Sequence, residues 1–371
     1  MKVNINCLHY LAYKPCTYHK MDKRLCEMCE NYQKIKKRIL IVKLDALGDV
    51  LRTTSILPAL IKKYPDSSIT WITKRNAFSL LENNQYINRK FAIEDNYLQF
   101  VLNEKFDIGI CLDADPLSST ILSLANCDEK LGFITNQSGQ VIPANKKAEE
   151  WYFLGINDDL KIKNRKTYQE FIYNICNLDS EIYKPQININ EKAEEFAFSF
   201  SEKNKLSQYK QIIGINTGGG LRWQLKKWIN QNYIELIKLI KKNYPDFGII
   251  LYGGPEEIEF NVKIKKEAGN LLIDTGCENS IQNFASLVGL SDIFFTPDSL
   301  GMHISIALNK TTLVIVGPTS PWELTVYDKG EVVYNKYLEC IACYKSTCNL
   351  KINCMNTLKP NYMFKIIMKY L

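Results

Sequence analysis

The sequence predicts a two-domain α/β protein, each half a doubly wound sheet, with the two halves facing one cleft. Three observations predict it. The chain has 371 residues, 46% hydrophobic and 23% charged, ordinary globular values at a length that favours two cores over one. Short apolar runs alternate with helical stretches before residue 135 and again after residue 210. The loops behind several of these runs carry Gly, Asp, Asn and Ser, and open α/β sheets bind ligands at that edge.

The elements follow in order. Arg38-Ile-Leu-Ile-Val-Lys43 suits a buried parallel strand. A helical stretch follows, apolar at Val50, Leu51, Ile56, Leu57, Leu60 and Ile61, and Tyr64-Pro65-Asp66 stops it. Further strands are expected at 68–73, 107–112 and 130–134. Helices are expected near 147–156 and 166–177, and a bridging helix at 191–206. The second alternation places strands at 211–215, 247–252, 271–273, 292–296 and 311–316. Helices are expected there at 230–242, 256–268, 280–289 and 299–308. The domains are therefore 38–190 and 191–335, flanked by a Cys/His-rich segment at 1–37 and a Cys-rich segment with a terminal amphipathic helix at 336–371.

Charge and cysteine are unevenly placed. The net charge is +7, yet residues 1–38 carry +6 and residues 336–371 carry +5, leaving −4 between them. The basic balance belongs to the ends, and a nucleic-acid partner is not expected. MKVNINCLHYLAYKPC lacks an apolar stretch fit for a signal peptide, and no run of 18 apolar residues occurs. A cytoplasmic protein is expected, where clustered thiols are more often metal ligands than disulfides.

Four segments carry chemistry. Leu44-Asp-Ala-Leu-Gly-Asp-Val50 joins the first strand to its helix, so Asp49 is either a helix N-cap or a catalytic carboxylate at the sheet edge. It is no G-x-G-x-x-G fingerprint, which argues against a dinucleotide oxidoreductase. Asn216-Thr-Gly-Gly-Gly-Leu-Arg-Trp-Gln-Leu-Lys-Lys-Trp228 follows a strand. It is either a flexible loop or a diphosphate cradle of backbone N–H groups, the Thr217 hydroxyl, Lys226 and Lys227. Tyr252-Gly-Gly-Pro-Glu-Glu257 puts carboxylates at a helix start, favourable with the helix dipole and able to accept from a ribose. Pro297-Asp-Ser-Leu-Gly-Met-His303 again joins strand to helix. Asp298 and Ser299 suit the N-cap, the first-turn N–H groups suit a phosphate, and His303 is either structural or functional.

Together ILIVKLDALGDVLRTTSILPALIKKYP, GINTGGG with LKKW, YGGPEE, DSLGMHISIALNK and VGPTSP resemble glycosyltransferase family 9, the ADP-heptose heptosyltransferases of bacterial lipopolysaccharide synthesis. The pieces stand in the family's order over roughly residues 38–325. The resemblance implies a GT-B fold and an inverting transfer that needs no cofactor or metal for chemistry. It implies that Asp49 is the general base and that Lys226, beside Lys227, meets the donor's phosphates. It implies that Thr217 and Gly218 line the diphosphate, and that Glu257 or Glu256 lies near the adenosine ribose. Asp298, Ser299, Leu300, Gly301 and His303 match the donor-binding turn, whose familiar form is Asp-Thr-Gly-Leu-x-His; here the glycine is displaced. The implied partners are ADP-heptose or a related nucleotide sugar and a lipid-linked oligosaccharide of lipopolysaccharide-core type, with peripheral contact at the inner face of the inner membrane. A protein O-heptosyltransferase of the autotransporter-modifying type is the alternative within enzymes, and a non-catalytic GT-B scaffold the alternative outside them.

Two thiol clusters remain. Cys7, His9, Cys16, His19, Cys26 and Cys29 fall within 23 residues. Cys16, His19, Cys26 and Cys29 form the expected tetrahedral zinc set, with Cys7 and His9 as competitors. Cys340, Cys343, Cys348 and Cys354 suit zinc or iron; some protein heptosyltransferases that the chain resembles hold iron in such a segment. The resemblance also implies that the terminal helix crosses back onto the first domain.

Overall fold

The structure, a computed structural model, describes residues 2–11, 13–220 and 224–371. Two sheets dominate. The first holds β1 (Lys37–Val42), β2 (Ser67–Thr73), β3 (Arg89–Ala92), β4 (Phe106–Cys111), β5 (Cys127–Thr135) and β6 (Val141–Pro143). Its order is β3-β2-β1-β4-β5-β6, parallel except for the β5–β6 hairpin. The second holds β7 (Gln211–Asn216), β8 (Phe247–Tyr252), β9 (Ile273–Asp274), β10 (Ile293–Pro297), β11 (Thr311–Ile315) and β12 (Gly330–Val333). Its order is β12-β11-β10-β7-β8-β9, parallel throughout. Two parallel-sheet α/β domains are thus confirmed.

The central strands are apolar runs because helices cover both faces. Ile39, Leu40, Ile41 and Val42 are wholly buried, as are Phe294 and Phe295. Helix starts follow capping chemistry. Asp115 accepts from the Leu117 and Ser118 N–H groups ahead of helix Pro116–Leu124, Thr167 and Glu170 form a capping box for Tyr168–Ile175, and Asn190 caps Glu191–Lys203.

Several elements escaped the sequence. The helix expected after β1 is two, Leu47–Thr53 and Ile56–Lys63, which meet at Thr54-Ser55. Strands β3, β6 and β12 are only three or four residues long, too short to carry periodicity. The terminal helix Pro360–Met368 packs Met363, Ile366 and Ile367 into the core of the second domain, beside helix Asn230–Asn243. There the Trp228 indole N–H donates to the Leu358 carbonyl at 2.8 Å. The expected crossing onto the first domain is therefore corrected: the chain beyond residue 335 is anchored by apolar burial on the domain it leaves.

The domains share one apolar cluster, which joins Val50, Leu51, Tyr168 and Ile172 to Ala285, Leu287, Phe294 and Ile304. The Gln282 amide bridges them by donating to the carbonyls of Ser79 (2.8 Å) and Asn188 (3.1 Å). No helix among the described residues is long and apolar enough to cross a membrane.

Candidate active site

In each sheet the strand order reverses once, between β1 and β4 in the first and between β7 and β10 in the second. The crevice outside the strand ends at such a point is where open α/β sheets bind ligands. Both crevices are lined by polar groups, and they face each other.

At the first, Lys43 leaves β1 and forms a buried ion pair with Asp113 beyond β4. Asp113 also accepts from the Leu44 N–H at 2.7 Å and the Ser118 hydroxyl at 3.3 Å. Asp49 lies in the first turn of helix Leu47–Thr53. Its Oδ1 is 2.7 Å from Arg52 Nη2, and its Oδ2 accepts from the Ala46 N–H at 3.3 Å, so it does close the helix start. It remains 34% exposed. Burial pushes its carboxyl up, but Arg52, Lys43 and His303 outweigh burial and bring it down to about 2. Asp49 is therefore both a helix-start residue and a fixed carboxylate.

Arg52 lies over the Tyr168 ring, 3.6 Å from its centroid. Its Nε is buried and has no hydrogen-bond partner among the described residues. Glu323 approaches from the second domain: it is pushed up by burial, feels Arg52, and accepts from the Tyr344 hydroxyl at 2.8 Å.

At the second crevice, the Asn216 amide donates to Thr296 Oγ1 at 2.9 Å and Ser299 Oγ at 3.2 Å, tying β7 to β10. Lys226 pairs with Asp298 at 2.6 Å, and Asp298 also accepts from the Thr319 hydroxyl at 3.0 Å. Burial raises the Asp298 carboxyl, and Lys226 with the other nearby charges outweighs that and lowers it. Lys227 pairs with Glu257 at 2.6 Å, and Glu257 accepts from the Gly254 N–H at 3.0 Å. A Cβ on Gly218 would stand 3.4 Å from Glu257 Oε2, so the glycine loop and this carboxylate are neighbours. His303 is buried on helix Leu300–Ala307, against Gly48 of the first domain. Burial, then the nearby Arg52 cation, push its imidazole down to about 4, so it is neutral.

Most of the expected residues thus meet. Asp49, Lys226, Asp298 and His303 share one electrostatic neighbourhood, with Lys227, Glu257 and Gly218 beside it. Thr217 does not present its hydroxyl to the cleft; it is buried and donates to Asn261 (2.6 Å) and the Tyr252 carbonyl (3.1 Å). Leu300 is half-buried in the helix start, and Gly301 admits the Asn216 amide, which a Cβ would meet at 2.7 Å. Positions 221–223 of the glycine loop lie outside the described residues. Sequence reading missed Lys43, Arg52, Asp113, Tyr168 and Glu323. Two signals were available: a lysine ending an apolar strand, and an arginine three residues after Asp49 on one helix face.

The thiols are less closely gathered. Among the described residues, no three His, Cys, Asp or Glu side chains stand grouped as a metal would hold them. The six N-terminal Cys and His side chains nevertheless line one cavity. At the other end, burial and then Cys343, Cys340 and Cys348 push the Cys354 thiol up to about 11.

Known proteins share this architecture. A glycosyltransferase family 9 protein from Veillonella parvula superposes with a TM-score of 0.74 at 17% identity, covering 91% of this chain and 97% of that one. The ADP-heptose lipopolysaccharide heptosyltransferase II of Escherichia coli superposes with a TM-score of 0.66 at 18% identity, covering 90% and 98%. In sequence, lipooligosaccharide heptosyltransferase 2 of Campylobacter jejuni is 25% identical over 264 residues, 66% of this chain and 76% of that protein. The family model described as glycosyltransferase family 9 (heptosyltransferase) matches residues 97–353, most of the chain, from the first domain through the second crevice to the thiol segment. The chain with these two facing crevices is a glycosyltransferase and belongs to family 9, the heptosyltransferase family.

Proposed function

We propose that this chain is an inverting heptosyltransferase that moves heptose from ADP-heptose to a lipopolysaccharide-core-type acceptor, with Asp49 as general base. The observation that carries the reading is an ionised, partly exposed carboxylate held opposite a lysine- and glycine-lined crevice. The relatives supply the substrate class: a structural neighbour is named for ADP-heptose and lipopolysaccharide, and the curated relatives for lipooligosaccharide.

The step follows from charge. The acceptor hydroxyl gives its proton to an Asp49 oxygen as its own oxygen bonds the anomeric carbon. The anomeric C–O bond to the β-phosphate breaks, configuration inverts, and ADP leaves with the electron pair. Lys226 and the N–H groups of the Gly218 loop stabilise the growing diphosphate charge more than the ground state. The buried Arg52 cation, with an unused N–H, adds to that field. Glu257, beside Gly218, suits the adenosine ribose.

Two further parts belong to this reading. Exposed Tyr13, Met21 and Met28 beside Lys14, Lys20 and Lys23 suit an anionic membrane surface carrying a lipid-linked acceptor. Cys340, Cys343, Cys348 and Cys354 suit a structural zinc or iron ion by donor chemistry, with three thiols near the buried Cys354.

Asp49→Asn is the test. With ADP-heptose and a truncated core acceptor, it should lower kcat by about 100-fold or more while the donor KM stays within a few-fold. Full activity in this variant, or no saturable ADP binding by the wild-type protein, overturns the reading.

A further inference from the structure

Residues 2–36 fold without a core. They contain the short helix Thr17–Asp22, a turn at Cys26–Met28 and an isolated antiparallel bridge from Cys7 to Lys34. None of the described residues in this segment is buried. Several of its apolar side chains point outward: Ile5, Tyr13, Met21 and Met28 are 70–81% exposed. Sulfur and imidazole share the inward positions with Val3, Tyr10, Tyr18, Leu25 and Tyr32. Cys7, His9, Cys16, His19, Cys26 and Cys29 are each half-buried, and all six line a single cavity of about 240 Å³.

A segment of about 35 residues in which no described apolar side chain is fully buried offsets little of its conformational entropy, and small domains of this kind use a metal or a disulfide. Free thiols and imidazoles alone supply no such cross-link. A divalent ion does, because each ligand it takes ties one wall of the cavity to the others. We infer that residues 2–36 are a metal-folded module, in which Cys16, His19, Cys26 and Cys29 bind one zinc-like ion.

No three of these side chains stand at ligand distance among the described residues, so an ion would have to draw the cavity walls together; three local features favour this set. His19 Nδ1 lies 2.9 Å from the Arg24 carbonyl, which fixes Nδ1 as the protonated nitrogen and leaves the Nε2 lone pair free for the ion. Cys16 ends the loop before helix Thr17–Asp22, and His19 is one turn on, so the pair stands on one side of the cavity. Cys26 opens the next turn and Cys29 closes it, the short-spaced thiol pair that tetrahedral sites use. His9 is packed edge-on to the Tyr18 ring at 4.9 Å, and Cys7 is tied into the bridge; both complete the wall behind the ion.

The test uses the full chain and counts metal. The purified protein is analysed for bound metal beside Cys16→Ser/Cys26→Ser/Cys29→Ser, and beside Cys343→Ser/Cys348→Ser, which reports on the other thiol segment. The N-terminal variant should lose about one equivalent per chain relative to the wild type, while the C-terminal variant retains that equivalent. In the wild type, cobalt(II) exchanged for the resident ion should show thiolate charge-transfer absorption that the N-terminal variant lacks. Equal metal content in the wild type and the N-terminal variant overturns the inference. So does loss of metal in His9→Ala with full retention in His19→Ala. If the N-terminal variant does not fold, proteolysis of the wild type decides: chelation should open cleavage within residues 2–36 while ADP binding persists. Cleavage there that is indifferent to chelation overturns the inference.

Discussion

At the scale of single residues, Asp49, the proposed base, is an ionised carboxylate held by a neighbouring cation. Arg52 is the largest of the charges that lower it, and the pair is 2.7 Å apart. A carboxylate near 2 is ionised throughout the working range but accepts protons poorly, so the approach of acceptor must loosen the pair. Removing Arg52 leaves burial less opposed. Arg52→Gln should therefore move the acid limb of the kcat/KM profile to higher pH, and an unmoved limb would show that Arg52 does not hold Asp49. His303 titrates the other way. Its imidazole falls from the ordinary 6.5 to about 4, so between those values the unfolded chain binds a proton that the folded chain does not. Stability is then full above pH 6.5 and falls as pH drops toward 4, by roughly 3 kcal/mol. Urea unfolding across that window should show the slope in the wild type and a flatter one in His303→Gln.

At the scale of elements, the site depends on how closely two helix starts approach. Helix Leu47–Thr53 meets helix Leu300–Ala307 at Gly48, where a Cβ would stand 2.7 Å from His303 Cδ2. The histidine is buried and cannot swing aside freely. Gly48→Ala should cost about 1–3 kcal/mol by overpacking and lower kcat by separating Asp49 from the donor side. Thermal unfolding together with initial rates would check both, and a variant with wild-type stability and rate would mean that the contact is soft. The displaced glycine of the turn at 298–303 has a related explanation. Gly301 sits where the Asn216 amide crosses to tie β7 to β10, so the small residue serves close approach of strand and helix. That role is invisible along the chain, because Asn216 and Gly301 are far apart in sequence.

At the scale of the whole molecule, the domains meet tightly at one point, where the small pocket lined by Arg52, His303 and Glu323 has no room for a water molecule. Lys226 and Lys227 are engaged by Asp298 and Glu257. On the proposed reading, donor binding exchanges these carboxylates for phosphates on the lysines, and domain motion of the kind that gates many transferases would accompany it. The terminal segments carry the basic excess of the chain. If the N-terminal segment meets the membrane, the protein should co-sediment with anionic vesicles, lose that binding as salt rises, and ignore neutral vesicles. Equal recovery with both vesicle types would remove the membrane contact.

What the sequence by itself determined was local. The run Ile39–Val42, apolar without alternation, could only be a strand covered on both faces, and the repeat of that pattern yields two parallel sheets. The loops after those strands carry Asp49, the glycine run, Glu257 and Asp298, so the candidate site was legible as a set of strand-end segments. Tertiary structure decided the rest. Arg52 reads as one more surface residue until burial and the Tyr168 ring enclose it, and Thr217 reads as a phosphate contact until Asn261 takes its hydroxyl. Lys43 and Asp113 become a pair only when the strand order reverses between β1 and β4. The physical reason is common to all three. Residue type and spacing limit what a group can do, but its charge state, partners and access to ligand depend on what packs against it from distant parts of the chain.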